Sequence, residues 1–215
     1  MTALDLAAVS DHAVLATLGD QIAPEVTRRV AGLLAAIDES PPPGYVDASP
    51  GYVTLLVTFD PLKADHEAVM RHIRSLEMEG KAAAGGAHHE IPVHYGGEHG
   101  PDLEWVAQFH GLSPAEVIRL HTAPLYTVCF LGFAPGFGYL SGMDPRLATP
   151  RLARPRTRVP AGSVGIGGAQ TGIYSTATPG GWRILGWTPV KLFHEDEEPM
   201  ALLAAGDTVR FIPIQ

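Results

Sequence analysis

Arg146, Arg151, Arg154, Arg156 and Arg158 crowd the segment DPRLATPRLARPRTRVP, where Asp144 is the only acid. A guanidinium stays charged and grips carboxylate or phosphate through two parallel N–H bonds. Repeated prolines exclude a helix and favour extended backbone, on which Arg154, Arg156 and Arg158 point one way. The segment therefore reads as an anion-recognition strip. The plainer alternative is a solvated loop whose cations pair with acids elsewhere. Charge-assisted hydrogen bonds are worth about 1.5–3 kcal/mol each, and millimolar affinity takes about 4 kcal/mol. Two arginine contacts thus hold a small acid only weakly.

His121 is the second candidate. It falls at the end of SPAEVIRLH, where Ser113, Pro114 and Glu116 form a helix-start signature of cap, first-turn proline and capping box. The helix dipole favours a protonated ring at that end, so His121 suits either a general acid or base or a structural C-cap. Upstream of the arginines, FLGFAPGFGYLSGMDP (130–145) alternates glycines and aromatics without charge until Asp144. Glycine lets backbone come close to a neighbour and aromatics shape a surface, which suits a core-wrapping loop or the wall of a cleft.

Other patterns fail. Gly167 to Gly172 has phosphate-loop spacing, but Ile173 and Tyr174 replace the lysine and hydroxyl. The dinucleotide fingerprint breaks at Gln170. AGSVG around Ser163 lacks the helix, acid and histidine that a nucleophile elbow needs, so its hydroxyl is expected to serve a tight turn. On a strand, His88 and His94 share a face with Glu90, a possible zinc set, though solvated histidines are the favoured reading. Cys129, in the apolar run YTVCFL, is expected to be a buried, inert thiol, and HEDEEP (194–199) a solvated loop.

The elements that must position these residues fall into two groups. DHAVLATLG reads as a strand, and APEVTRRVAGLLAAIDES as a helix with Val26, Val30, Leu33, Leu34 and Ile37 on one face. PPPGYVDASPGYVTLLVTFDP reads as two strands about a Ser49-Pro50-Gly51 turn. ADHEAVMRHIRSLE has Val69, Ile73 and Leu76 at helical spacing, and HHEIPVHY alternates as a strand. That β-α-β-β-α-β order suggests a ferredoxin-like sandwich. GKAAAGGAH (80–88) is the best linker, so residues 1–86 form a small α/β domain and 87–215 a second one. The second opens with helices over PDLEWVAQFHG and SPAEVIRLH. It continues in short strands, LYTVCFLGF, GSVGIGG, TGIYST, GWRILGWTP, VKLFH and DTVRFIPI, as in a β-barrel or sandwich.

With 215 residues, a net charge of −8 and 46% apolar residues, the chain can bury a sizeable core and lacks the basic footprint of a nucleic-acid binder. One cysteine excludes an intramolecular disulfide and suits a reducing compartment. No signal peptide or membrane span is evident, so a cytoplasmic protein without membrane contact is expected. Lacking a phosphate loop or metal motif, the chain reads as part of an ATP-using enzyme rather than a complete one.

GPDLEWVAQFHGLSPAEVIRLHTAPLYTVCFLGFAPGFGYLSGM, PRLARPRTRVPAGSVGIGGAQTGIYSTATPGGWRILGWTPVKLF and GDTVRFIPI, spanning about Ile91 to the C-terminus, resemble one family. It is variously called allophanate hydrolase subunit 1, the Kip-type kinase inhibitor and the B subunit of bacterial 5-oxoprolinase. The N-terminal part resembles the family only in element order and length. The resemblance implies an α+β chain: a small ferredoxin-like βαββαβ domain followed by a cyclophilin-like β-barrel. It implies partners. One is a homologous second cyclophilin-like subunit (the C subunit, or allophanate hydrolase subunit 2 type), which shares a cleft with this one. The other is a third oxoprolinase subunit. The complex uses ATP to open 5-oxoproline to glutamate.

The positions matching the family's motifs are His121, Phe133, Pro135, Gly136, Tyr139, Arg151, Arg156, Gly162, Ser163, Gln170, Tyr174, Gly180, Gly181 and Trp182. On this resemblance GFAPGFGYL lines the cleft and meets a small planar acid or amide. The arginines hold a carboxylate or a phosphorylated intermediate, and His121 moves a proton. Backbone N–H groups near Gly162 and Ser163 steady an oxyanion. His121 and Arg156 are the catalytic candidates, and the others except Gly180 and Gly181 are the substrate-binding candidates. Trp187 departs from the family's arginine and removes one possible anion ligand. The alternatives are a urea- or allophanate-directed carboxyltransferase or hydrolase subunit, and an inhibitor of a sensor histidine kinase.

Overall fold

The computed structural model describes residues 4–78 and 86–214, which divide into two compact units, Met1–Gly86 and Ala87–Gln215. In the first, β1 (Asp5–Ser10) and β2 (Ala13–Thr17) form a hairpin. Then follow α1 (Pro24–Glu39), β3 (Tyr45–Pro50), β4 (Thr54–Phe59) and α2 (His66–Met78). The sheet runs β1-β2-β4-β3 with every neighbour antiparallel. Alternation along β2 and β4 buries Val14, Ala16, Leu55, Val57 and Phe59 on one face. Val30, Leu33 and Ile37 of α1 and Val69 and Ile73 of α2 cover it, the helical faces expected from 3.6-residue spacing.

The expected ferredoxin-like order needs HHEIPVHY as its last strand, and here the structure differs. The place beside β2 is taken by β1, and HHEIPVHY is β5 (His88–Tyr95) of the second unit. There it pairs with β13 along its length and with β12 at His94 and Tyr95. The linker expected over GKAAAGGAH falls largely on residues 79–85, outside those described.

After β5 the second unit continues with α3 (Leu103–His110), α4 (Pro114–Thr122), β6 (Tyr126–Leu131), β7 (Gly138–Ser141) and a 3-10 turn (Pro145–Leu147). Next come β8 (Arg156–Val159), β9 (Ser163–Gly167), β10 (Gln170–Ile173), β11 (Thr178–Gly180), β12 (Arg183–Trp187) and β13 (Thr208–Ile214). Among the described residues, seven strands close into a barrel in the order β10-β7-β6-β13-β5-β12-β9, completed by the β9–β10 hairpin. β13 runs parallel to β5 from Thr208 beside His88 to Ile214 beside His94, and β8 and β11 form a separate ribbon.

The capping box appears as read: the Glu116 amide donates to Ser113 Oγ and the Ser113 amide to the Glu116 carboxylate. VKLFH, expected as a strand, is not one. Pro189 has no N–H, and the Val190 amide turns back onto the Thr188 hydroxyl. Only an isolated bridge links Phe193 to Ala201. Among the described residues no helix is long and apolar enough to cross a membrane.

Candidate functional site

The glycine- and aromatic-rich segment connects β6 to β7 as a tight loop. The Gly132 amide donates to the Phe137 carbonyl, the Phe137 amide to Ala134 and the Ala134 amide to Gly132, at 2.8–3.0 Å. Gly136 sits at φ +72°, and a Cβ there would lie 2.9 Å from the Leu192 carbonyl oxygen and Phe193 Cβ. Only glycine satisfies both conditions. The loop turns Phe137 inward and leaves Phe133 60% exposed, with Pro135 exposed at its tip.

Phe137 centres an aromatic cluster apart from the main barrel core. Tyr139, Tyr174 and Trp182 meet its ring edge-on at 4.9–5.5 Å, with Val159 and Ile184 packed beside them. Edge-to-face contacts at this spacing favour one fixed arrangement. A Cβ on Gly180 would collide with the Tyr174 hydroxyl, so that glycine is what admits it. Burial pushes Tyr174 above the usual phenol range. The Trp182 backbone N–H at its hydroxyl and the Arg151 and Arg156 charges oppose that shift.

The arginines separate into different roles. The Arg151 guanidinium lies 6.0 Å from the Trp182 ring centroid, is exposed, and makes no hydrogen bond or ion pair among the described residues. Arg154 and Arg158 are exposed, whereas Arg156 is half-buried. Arg156 donates to Asp102 at 2.9–3.0 Å and to the Trp182 carbonyl at 3.3 Å. Its charge is matched inside the protein by Asp102. Asp102, 8% exposed in its side chain, also accepts the Ile184 amide at 2.7 Å and stands 3.7 Å from Arg183. Arg183 in turn lies over Trp105 at 3.5 Å. Asp102 escapes a sequence reading. The surplus of arginine after residue 145 calls for acids elsewhere, but nothing local names this one.

His121 is held by contacts of its own. Its ring is fully buried inside the barrel, stacked on Phe211 at 4.7 Å. The Thr171 hydroxyl donates to the Gly165 carbonyl at 3.0 Å, so it accepts the His121 Nε2–H at 2.8 Å. Nδ1 is then left to accept the Tyr95 hydroxyl at 2.8 Å. Desolvation drives the ring from 6.5 down to about 3, overwhelming the dipole at the end of α4. The ring is neutral and both of its nitrogens are engaged inside the protein.

The amides expected to hold an oxyanion are likewise committed. Gly162 donates to the Tyr174 carbonyl at 2.7 Å and Ser163 to Pro160 at 3.3 Å. Ser163 returns its carbonyl to the Tyr174 amide, so this turn anchors Tyr174 on both sides. Gly162 stands at φ +83°, and a Cβ there would collide with the Thr188 carbonyl. Gln170 is half-buried at the β9–β10 turn, opposite Gly167. Thus Phe133, Gly136, Tyr139, Arg151, Tyr174 and Trp182 gather; Gln170 pairs with Gly167, whose added Cβ would meet the Trp182 ring, while His121 lies apart. Among the described residues no three His, Cys, Asp or Glu side chains gather as metal ligands. Trp187 instead stacks on His94 and His99 and donates to the Ala161 carbonyl.

What the gathered groups can do is bind. An uncommitted guanidinium beside an aromatic wall suits a small flat acid: charge to the carboxylate, ring face to the planar part.

The family of the carboxyltransferase domain, subdomain C and D, matches residues 4–203. The B subunit of 5-oxoprolinase from Bacillus subtilis (strain 168) is 43% identical over 218 residues, covering 96% of this chain and 91% of that protein. The crystal structure of TTHA0988 is similar at 39% identity and a TM-score of 0.84, covering 94% of this chain. The chain spans 40% of that protein's length. The Kluyveromyces lactis urea carboxylase shares the fold at 20% identity and a TM-score of 0.76, over 99% of this chain and 22% of that one.

Proposed function

The chain belongs to the carboxyltransferase-domain family, subdomain C and D, and from that premise we propose that it is the B subunit of a 5-oxoprolinase. With partner subunits it opens the lactam of 5-oxoproline: water adds across the ring amide and glutamate leaves. The relation to the Bacillus protein supports the reaction. One observation carries the substrate's place here: the Arg151 guanidinium lies over Trp182 without an ion pair among the described residues. Arg151 takes the carboxylate, and Phe133 and Tyr139 offer the accessible wall that the ring meets, with Tyr174 and Trp182 buried behind them. Gly136, Gly162 and Ser163 shape the backbone behind them.

The partners follow from the same reading: a homologous second cyclophilin-like subunit, whose surface completes the cleft, and a third oxoprolinase subunit. The closed barrel supports a cyclophilin-like second domain, 87–215, following a small α/β domain, 1–86, along the chain. ATP belongs to the assembled cytoplasmic complex. The run from Gly167 to Gly172 in this chain is a β-hairpin turn and its following strand rather than a strand-to-helix phosphate loop. Carboxyl transfer to urea is supported here by a shared fold alone.

Co-expression with the partner subunits tests the proposal through glutamate release from 5-oxoproline and ATP. Omitting this chain abolishes release. Arg151→Ala raises KM about tenfold with a smaller change in kcat, the loss of one exposed charge-assisted contact. Full activity without this chain would end the reading.

A further inference from the structure

Phe133 is the only non-glycine with positive φ among the described residues, at +69°. The Ala134 amide donates to the Gly132 carbonyl at 2.8 Å across it. That bond and that angle make a γ-turn in its strained, positive-φ form, which a side chain as bulky as phenylalanine rarely adopts. Strain of this kind persists only where surrounding structure imposes it, and it clusters at ligand sites. The imposing structure is the loop's two other hydrogen bonds and the space-locked Gly136.

Core packing does not account for the turn. The ring is 60% exposed and meets Phe137 and Tyr174 only edge-on, at 5.3 and 6.2 Å. A residue serving burial would point inward, as Phe137 does. Phe133 instead stands out beside the wall that carries Tyr174, Trp182 and Arg151.

We infer that Phe133 determines specificity at this site: the strained turn displays its ring so that the flat face of a cyclic amide acid packs against it while Arg151 takes the carboxylate. The ligand's identity rests on the 5-oxoprolinase reading. Preference for a planar lactam over a puckered, saturated ring acid then comes from this face.

The test uses the co-expressed complex with 5-oxoproline and L-proline as probes, reading Kd by calorimetry and KM by glutamate release. Phe133→Gly removes the ring and suits the backbone angle. It should raise Kd or KM for 5-oxoproline about tenfold, about 1.4 kcal/mol, and narrow the preference over proline, with Tm no lower than wild type. Phe133→Tyr keeps the face and should stay within twofold. The inference is overturned if Phe133→Gly binds within twofold of wild type, or if Phe133→Tyr loses as much as Phe133→Gly. A wild-type complex that binds 5-oxoproline without releasing glutamate sinks the enzymatic reading, yet the Kd ratios still judge Phe133. Neither binding nor turnover overturns both.

Discussion

Acid should destabilise this protein through one buried ring. His121 is neutral when folded, with its value pushed from 6.5 to about 3 by burial. Between those values the unfolded chain takes up a proton that the folded one refuses. Stability from this residue is therefore complete above pH 6.5 and is lost as pH falls towards 3. The slope is about 1.4 kcal/mol per pH unit, so pH 5 costs about 2 kcal/mol relative to pH 7. For a chain of this size that is about 4–8 °C in Tm. Urea unfolding of wild type and His121→Gln at pH 7, 6 and 5 isolates the effect. Every other group is common to both proteins, so the difference in slope reports one proton. His121→Gln is weaker at pH 7 but loses about one proton's worth less stability on acidification. Parallel pH profiles would refute a neutral buried ring.

Two further substitutions probe what holds the candidate site. Asp102→Ala strands the Ile184 amide and leaves Arg156 and Arg183 without their counter-charge. After discounting for the partial exposure of Arg156, the loss is about 3 kcal/mol, or about 6–12 °C in Tm; Asp102→Asn, which still accepts the amide, should lose about half in the same melt. Gly162→Ala combines an unfavourable φ with a collision at Thr188, about 2–4 kcal/mol in chemical denaturation, and a cost below about 1 kcal/mol would mean the turn relaxes freely.

Legibility in the sequence follows how local each determinant is. Ser113 and Glu116 sit one turn apart, so their reciprocal cap is readable from spacing. The apolar face of α1 follows from its period. β1 is invisible in the sequence, because it is almost wholly exposed and lacks the burial alternation that marks a strand. β5 is recognisable as a strand but not as a member of the barrel, since alternation states which face is buried and not which strand pairs with it. At the site, Phe133, Tyr139 and Trp182 are named through family motifs. Asp102 is missed because its partners, Arg156, Arg183 and the Ile184 amide, are brought to it only by the fold. His121 misleads because the helix signal is local, whereas its burial by Phe211, Tyr126 and Tyr95 is not.

The parallel pairing of β5 with β13 sets a timetable for biosynthesis. Thr208 meets His88 although the two lie 120 positions apart along the chain. At about 5–20 residues per second, a ribosome needs about 6–24 s to cover that distance. Throughout that interval β5 has emerged and β13 has not, so the barrel stays unclosed and presents open strand edges to solvent. The sheet of the first unit needs nothing downstream of β4 and α2 and can form in the meantime. Until β13 arrives, the exposed edge of β5 is the place where an unfinished chain can pair wrongly.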